Sequence, residues 1–306
     1  MSASDSQEVV LGSRGSELAR RQTGMVETAL RKAWSQLEVA TRIISTRGDV
    51  RAAEPLDPRA GRKGLFTGEI EHALEARDID VAVHSAKDLP SAMTGALKIG
   101  AVLRRAAVED VLITKAVESR AGAIATGSVR RQHQLRWKYG DVEVVDLRGN
   151  VPTRLRKLIE SDWRGIVLAR AGLERLGYDV WQGSFLFEGT NLRVEPMPSD
   201  DFLSAGGQGI IALQVRSDDV ASSTLVDAVN DRDTLLCLEA EREFLRLLDG
   251  DCGSPVGVLA IITGSMMTMR AQVFEPPSVE PSSARVDGES GSPAKLTREL
   301  WEAING

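Results

Sequence analysis

The stretch Ile79-Asp80-Val81-Ala82-Val83-His84-Ser85-Ala86-Lys87-Asp88 decides how the fold is read. Its first five residues are mostly branched and apolar and too few for a helix, so they read as a buried strand. Upstream, Thr67 can cap a helix running to about Arg77. The same alternation extends outward on both sides. Glu8 to Gly12 and Val39 to Ser45 read as strands around a helix from Ser16 to about Ala33, with Leu18, Met25, Ala29 and Leu30 near one face. Downstream, strands at Leu97–Val102, Val111–Thr114, Ala123–Thr126, Val142–Asp146 and Ile166–Ala169 alternate with helices starting at Ser128 and Asn150. Such alternation predicts α/β architecture, with parallel or mixed sheets covered by helices.

The last part of the chain differs. Asp231 to Leu248 reads as one long charged helix, Val256–Thr263 and Thr268–Phe274 as strands, and Ala294–Ile304 as a closing helix. This predicts a small separate α/β domain. Glu275 to Pro293 is dominated by Pro, Ser and Gly and reads as a turn-rich, mobile segment. Thr46 to Gly64 is aperiodic and rich in Gly, Pro and charge, and is expected to be a loop covering a cleft.

A chain of 306 residues is long enough for about two domains. Its 42% hydrophobic and 27% charged residues argue against disorder. No apolar run approaches the ~20 residues of a membrane span, and the first residues lack the features of a signal peptide. Two distant cysteines exclude a disulfide scaffold and predict a cytoplasmic protein. A net charge of -6 disfavours a nucleic-acid partner.

The 38 basic residues divide into 8 Lys and 30 Arg. A GC-rich genome accounts for that composition but not for where the arginines fall. In open α/β sheets ligands sit outside the carboxyl ends of the strands. Arg14 follows the first strand, Lys87 and Asp88 follow the strand ending at Val83, and Arg148 follows the strand ending at Asp146. Arg130, Arg131 and Arg154 fall in the first turns of helices. Helix N-termini attract anions and disfavour cations, so a bound anion explains this placement. Any one of these arginines alone reads as a solvated surface charge; five in equivalent positions predict an anion pocket.

Other residues have ordinary readings. Lys87-Asp88 alone suits a surface ion pair of little energetic worth. His84 reads as a satisfied structural residue, and three His in the chain do not make a metal site. Cys237 lies in an apolar run and reads as an inert core thiol. Gly206-Gly207-Gln208-Gly209 is followed by no Lys-Ser/Thr, which excludes a nucleotide P-loop. Cys252 sits among small residues in Asp249-Gly250-Asp251-Cys252-Gly253-Ser254-Pro255, where its sulfur is reachable. The loop alone fits an incidental cysteine equally well. A reachable thiol, a carboxylate and many guanidiniums together suggest covalent chemistry on a substrate rich in carboxylates.

These segments, taken in order, resemble the porphobilinogen deaminases, also called hydroxymethylbilane synthases. The resemblance is carried by Ser13-Arg14-Gly15-Ser16-Glu17-Leu18-Ala19, Thr46-Arg47-Gly48-Asp49, Gly61-Arg62-Lys63-Gly64-Leu65-Phe66 and Asp80 to Pro90. It continues through Gly127-Ser128-Val129-Arg130-Arg131-Gln132, Leu147 to Val151, Thr153-Arg154-Leu155, Ala171 to Gly177, Gly207-Gln208-Gly209 and Ala240-Glu241-Arg242. The resemblance implies two periplasmic-binding-protein-like lobes with mixed sheets plus a small C-terminal α/β domain. The corresponding divisions are 1–103 with 209–227, 104–208, and 228–306.

It further implies a transferase of porphyrin and haem biosynthesis. Four porphobilinogen molecules are condensed stepwise, each losing ammonia to give an electrophilic azafulvene, and a linear tetrapyrrole is released by hydrolysis. On that pattern Cys252 holds a dipyrromethane cofactor by a thioether, and Asp88 is the catalytic carboxylate. Arg14, Lys87, Arg130, Arg131, Arg148, Arg154 and Arg175 hold acetate and propionate groups, and Ser16, Lys63, Ser128 and Gln208 fall at further binding positions. No metal, nucleic acid or membrane is implied, and a monomer is expected. A noncatalytic receptor for small carboxylates on the same fold is the alternative; it needs the arginines but neither Asp88 nor a modified Cys252. The chain departs from the family pattern at Asp251 (usually Gly), Gly127 (commonly a hydroxyl residue), Gln214 (frequently Glu) and Arg59 (often Lys).

Overall fold

The computed structural model describes residues 8–46, 48, 67–115, 122–249 and 254–306. Cys252, Asp251, Lys63, Arg59 and all but Thr46 and Gly48 of the expected cleft-covering loop lie outside the described residues. The chain begins β1 (Glu8–Arg14), α1 (Glu17–Ala33), β2 (Glu38–Ile44), α2 (Gly68–Glu75), β3 (Val81–Ser85) and β4 (Leu97–Val102). Then come β5 (Asp110–Lys115), β6 (Ile124–Ala125), α3 (Val129–Tyr139), β7 (Val144–Val145), α4 (Val151–Glu160), β8 (Gly165–Ala169), α5 (Arg170–Arg175), β9 (Ser184–Phe187) and β10 (Thr190–Pro196). It ends with β11 (Ile211–Arg216), α6 (Val220–Asp227), α7 (Arg232–Leu247), β12 (Val256–Thr263), β13 (Met266–Val273), β14 (Ser282–Glu289) and α8 (Pro293–Asn305).

Three sheets organise these elements. The first has the order β2-β1-β3-β11-β4, the second β7-β6-β8-β5-β10-β9 and the third β12-β13-β14. In the first, β1 runs parallel to β2 and β3, whereas β11 is antiparallel to β3 and β4. The second is mixed in the same way, with β6 parallel to β7 and β8 and β5 antiparallel to β8 and β10. The third is wholly antiparallel. Each sheet has its own apolar core: Leu11, Leu30, Val81 and Leu213 in the first, Ile113, Leu155 and Ile166 in the second, Phe244, Val258 and Leu300 in the third. No helix among the described residues is long and apolar enough to cross a membrane.

Two strand-like connections join the first two sheets, one leaving β4 and one entering β11. They run side by side: Leu103 N–H donates to the Ile211 carbonyl at 3.1 Å and Ala106 N–H to the Gly209 carbonyl at 3.0 Å. Gly207 and Gly209 have φ of +74° and +85°. A Cβ at Gly209 would lie 2.6 Å from the Ala106 carbonyl oxygen, so this crossing demands glycine. Glu241 of α7 ties the third sheet to the same crossing. Its fully buried carboxylate accepts from Gly207 N–H at 2.7 Å, from Ala260 N–H at 2.8 Å and from Arg105. Arg105 in turn donates to the Gln208 carbonyl at 2.9 Å.

Within 275–293 the structure corrects the expected turn-rich mobile segment, because Ser282–Glu289 forms β14. Its residues alternate in exposure, with Ala284, Val286 and Gly288 turned inward. The strand lies at the edge of the sheet and its outer face is polar, so Ser, Arg and Asp masked the alternation. Leu296 of α8 packs onto it so closely that a Cβ at Gly288 would approach its side chain to 2.7 Å.

Candidate functional site

The carboxyl ends of β1 and β3 and the N-termini of α1, α3 and α4 supply the candidate residues. Each of those helices is capped by the side chain that precedes it. Ser16 accepts from Ala19 N–H at 3.3 Å, Ser128 from Arg131 N–H at 3.5 Å, and Asn150 from Thr153 N–H at 2.9 Å. Ser16 and Ser128, both expected at binding positions, therefore also start α1 and α3.

Asp88 ends a one-turn 3-10 helix, Ala86–Asp88, directly after β3. Its carboxylate is partly exposed and lies 4.0 Å from the Arg14 guanidinium. Lys87 points elsewhere and donates to Gln208 Oε1 at 3.3 Å. Burial, followed by the charge of Arg131, pushes its ammonium down to about 8. Lys87 is thus no solvated surface charge.

Arg130 and Arg131 converge on a carboxylate that the sequence reading passed over. Asp110, at the start of β5, accepts from Arg130 Nη2 at 2.9 Å, from Arg131 Nη2 at 2.7 Å and from Arg131 Nε at 3.0 Å. Gln208 Nε2 adds a fourth bond at 2.8 Å. Burial pushes the Asp110 carboxyl up, but the two guanidiniums outweigh it and hold it well below the usual carboxylate range. The expectation that both arginine forks serve a ligand is modified accordingly, since Asp110 takes a large part of each. Arg130 Nε is buried and has no hydrogen-bond partner among the described residues.

Arg154 donates from Nε to the Gly149 carbonyl at 2.6 Å. Burial, then the charges of Arg131 and Arg148, lower it to about 10, with Asp88 and Asp146 opposing. Four of the expected residues therefore share one electrostatic neighbourhood. Arg148 pairs with Asp146 at 2.7 Å near the surface. Arg175 donates from Nη2 to the Gly209 carbonyl at 2.6 Å, at the crossing between sheets, and burial lowers it to about 10. Its Nε is also buried without a hydrogen-bond partner among the described residues. Two orphaned guanidinium N–H groups and a low-pKa ammonium are a donor set made for carboxylates.

Where the three sheets meet there is a cavity of about 40 Å³, lined by Lys87, Ser128, Arg130, Arg242 and Ser254 among others. Ser254 is two residues beyond Cys252 in the chain. Arg242 was not singled out as a binding residue. It projects from α7, donates to the Ser91 carbonyl at 3.2 Å, and burial lowers its pKa.

Two departures from the family pattern have local causes. A Cβ at Gly127 would lie 2.5 Å from the Leu147 carbonyl oxygen, so no hydroxyl side chain fits this backbone path. Gln214 is fully buried between Glu71, to which its amide donates at 2.9 Å, and His84 Nε2 at 3.0 Å. A carboxylate there would face the Glu71 carboxylate, whereas the amide bridges both neighbours. Burial lowers His84 to about 4, so at neutral pH it is an uncharged structural group donating through Nε2.

The model of the dipyrromethane-cofactor-binding domain of porphobilinogen deaminase matches residues 9–224, and the C-terminal-domain model of the same family matches residues 235–305. A porphobilinogen deaminase of Syntrophobacter fumaroxidans is 39% identical over 94% of this chain and 90% of its own length. One from Roseiflexus sp. (strain RS-1) is 42% identical over 87% of this chain and 86% of its own. Among solved structures, the periplasmic VFT2 domain of Bordetella pertussis BvgS overlaps with a TM-score of 0.45 at 15% identity, covering 74% of this chain and 87% of that one. Both family models and near-complete relatives at this identity agree: the chain belongs to the porphobilinogen deaminase family.

Proposed function

We propose that this chain condenses porphobilinogen into a linear tetrapyrrole on a dipyrromethane primer carried by Cys252, with Asp88 as the catalytic carboxylate. The observation that carries this reading is the donor-lined cavity at the meeting of the three sheets, with Ser254 in its wall. At about 40 Å³ the cavity has room for one carboxylate arm rather than a whole dipyrromethane, and its donors fit such an arm. Each pyrrole of the primer brings carboxylates, and the cavity offers Lys87, Ser128, Arg130 and Arg242. When bound, the dipyrromethane supplies the terminal pyrrole to which the first substrate is joined.

The chain's own residues do the rest. Asp88 balances positive charge on the reacting pyrrole and accepts the proton released on bond formation. Arg14, whose guanidinium lies 4.0 Å from it, belongs to the carboxylate-binding set. Lys87, Arg130, Arg131, Arg154 and Arg175 bind acetate and propionate groups, and Arg148 serves the more exposed end. Ser16, Ser128, Lys63 and Gln208 complete the binding set. Asp110 and Gln208 fix the directions of Arg130, Arg131 and Lys87 before substrate arrives, which lowers the cost of ordering them on binding. The lobes are 1–103 with 209–227, and 104–208; the cofactor-bearing unit is 228–306. The return of β11 into the first sheet supports that division. Two cysteines in 306 residues support a cytoplasmic location, and the net charge of -6 supports the lack of a nucleic-acid partner.

Porphobilinogen consumption measured across pH tests this reading. The Lys87 ammonium loses its proton as pH rises through about 8, so kcat/KM should fall there. In Lys87→Arg, whose charge persists, that fall should be absent. A protein that consumes no porphobilinogen, or a wild-type profile that stays flat between pH 7 and 9, contradicts the assignment.

A further inference from the structure

Helix α3 carries two kinds of residue at once. Its first turn holds Arg130 and Arg131, while its next turns grip the third sheet. Gln134, fully buried, accepts from Arg130 Nη1 at 2.8 Å through its carbonyl oxygen. Its amide nitrogen donates to Gln272 Oε1 of β13 at 2.8 Å and to the Leu203 carbonyl at 2.9 Å. Arg130 Nη1 reaches that same Leu203 carbonyl at 2.7 Å.

Flanking Gln134 on the same helix, His133 and Trp137 pack against Phe274, with ring centroids 5.6 Å and 6.2 Å away. Phe274 N–H donates to the Pro255 carbonyl at 3.1 Å, and Pro255 is three residues past Cys252. Leu203 and Ser204 are held between the two layers. A Cβ at Gly257 would meet Leu203 at 2.8 Å, and Val258 N–H donates to the Ser204 carbonyl at 3.0 Å.

We propose that Gln134, Gln272 and Phe274 are positioning residues that fix the stem of the cysteine loop at one distance from Arg130. The inference rests on the reading above, in which Cys252 bears the cofactor and Arg130 binds it. Arg130 finds its negative partner in Asp110, shared with Arg131, and the amide at 134 is neutral, so it contributes direction rather than charge compensation. A buried amide with every bond made permits one arrangement of its neighbours, and a half-satisfied one is costly. The pair therefore registers the third sheet, whose first strand follows Ser254 and Pro255 in the chain, against the guanidinium that receives the primer's carboxylate. Phe274 does the same through packing, because it sits between α3 and the carbonyl of the loop stem.

The test is loading of apo-protein with porphobilinogen, followed by intact mass, together with KM and kcat of the loaded protein. Gln134→Met should load about tenfold more slowly and raise KM, with kcat of the loaded fraction near that of wild type. Gln272→Met should behave alike, and the double variant should be no worse than the poorer single one, because the pair acts as a unit. Phe274→Leu, which keeps an apolar side chain, should reproduce the slow loading if a Gln134 variant fails to fold. Leu158→Val, in the core of the second sheet, provides a variant of reduced melting temperature that should load normally. Wild-type loading by Gln134→Met and Phe274→Leu overturns the inference, as does equally slow loading by Leu158→Val. If the wild type itself bears no adduct on Cys252, the underlying reading falls instead.

Discussion

Asp88→Asn should leave a folded protein with its cofactor attached and turnover reduced by about 10²–10⁴-fold. The side chain is nearly isosteric, and the carboxylate is partly exposed and makes one long ion pair among the described residues, 4.0 Å to Arg14. Little of the fold depends on it. The amide, however, neither accepts a proton nor balances a cationic pyrrole. Asp88→Glu keeps the charge and changes only the reach, so it should retain more activity than Asp88→Asn. The measurement is single-turnover porphobilinogen consumption by cofactor-loaded protein with matched melting temperatures. Near-normal turnover by Asp88→Asn would move the catalytic role to another group.

Asp110→Asn should have the opposite signature, a large loss of stability. It removes the one carboxylate that Arg130 and Arg131 share and leaves two buried guanidiniums facing each other. Breaking a buried pair by removing one partner costs about 3–5 kcal/mol, which calorimetry of the cofactor-free protein should detect. The carboxyl is held below its ordinary value near 3.8, so its contribution is complete above that pH and is lost only as pH falls below it. Wild type and variant should therefore differ by a constant amount from pH 5 to 8. A difference under 1 kcal/mol would show that the arginines are stabilised by other groups.

How far the sequence revealed this arrangement varies by element. The bounds of β4 and β12 are those expected, because each is mostly apolar and follows a turn signal, Thr94-Gly95 before β4 and Ser254-Pro255 before β12. β11 was not anticipated, since Gln214 and Arg216 interrupt a strand whose six residues are all buried. Both polar groups are satisfied inside, Arg216 by the Leu74 and Ile79 carbonyls at 2.9 Å and 2.7 Å. The hairpin of β9 and β10 was also missed. Its turn is Glu188-Gly189, with φ of +47° and +82°, and Glu is not a residue that announces a left-handed turn. At the site, Arg130 and Arg131 were legible as anion-seeking residues at a helix start. That the first anion they meet is Asp110 was not legible, because the pairing is set by tertiary packing and leaves no periodic trace. The grip of α3 on Gln272 and Phe274, more than 130 residues away, was hidden for the same reason.

The most direct test of the account is the intact mass of the purified protein, followed by peptide mapping of the two cysteines. A dipyrromethane adduct is expected on the peptide containing Cys252, lost in Cys252→Ser and kept in Cys237→Ser. Cys237 is buried, and burial pushes its thiol up to about 12, so it stays unreactive. A wild-type protein that turns over porphobilinogen with both cysteines unmodified would contradict it.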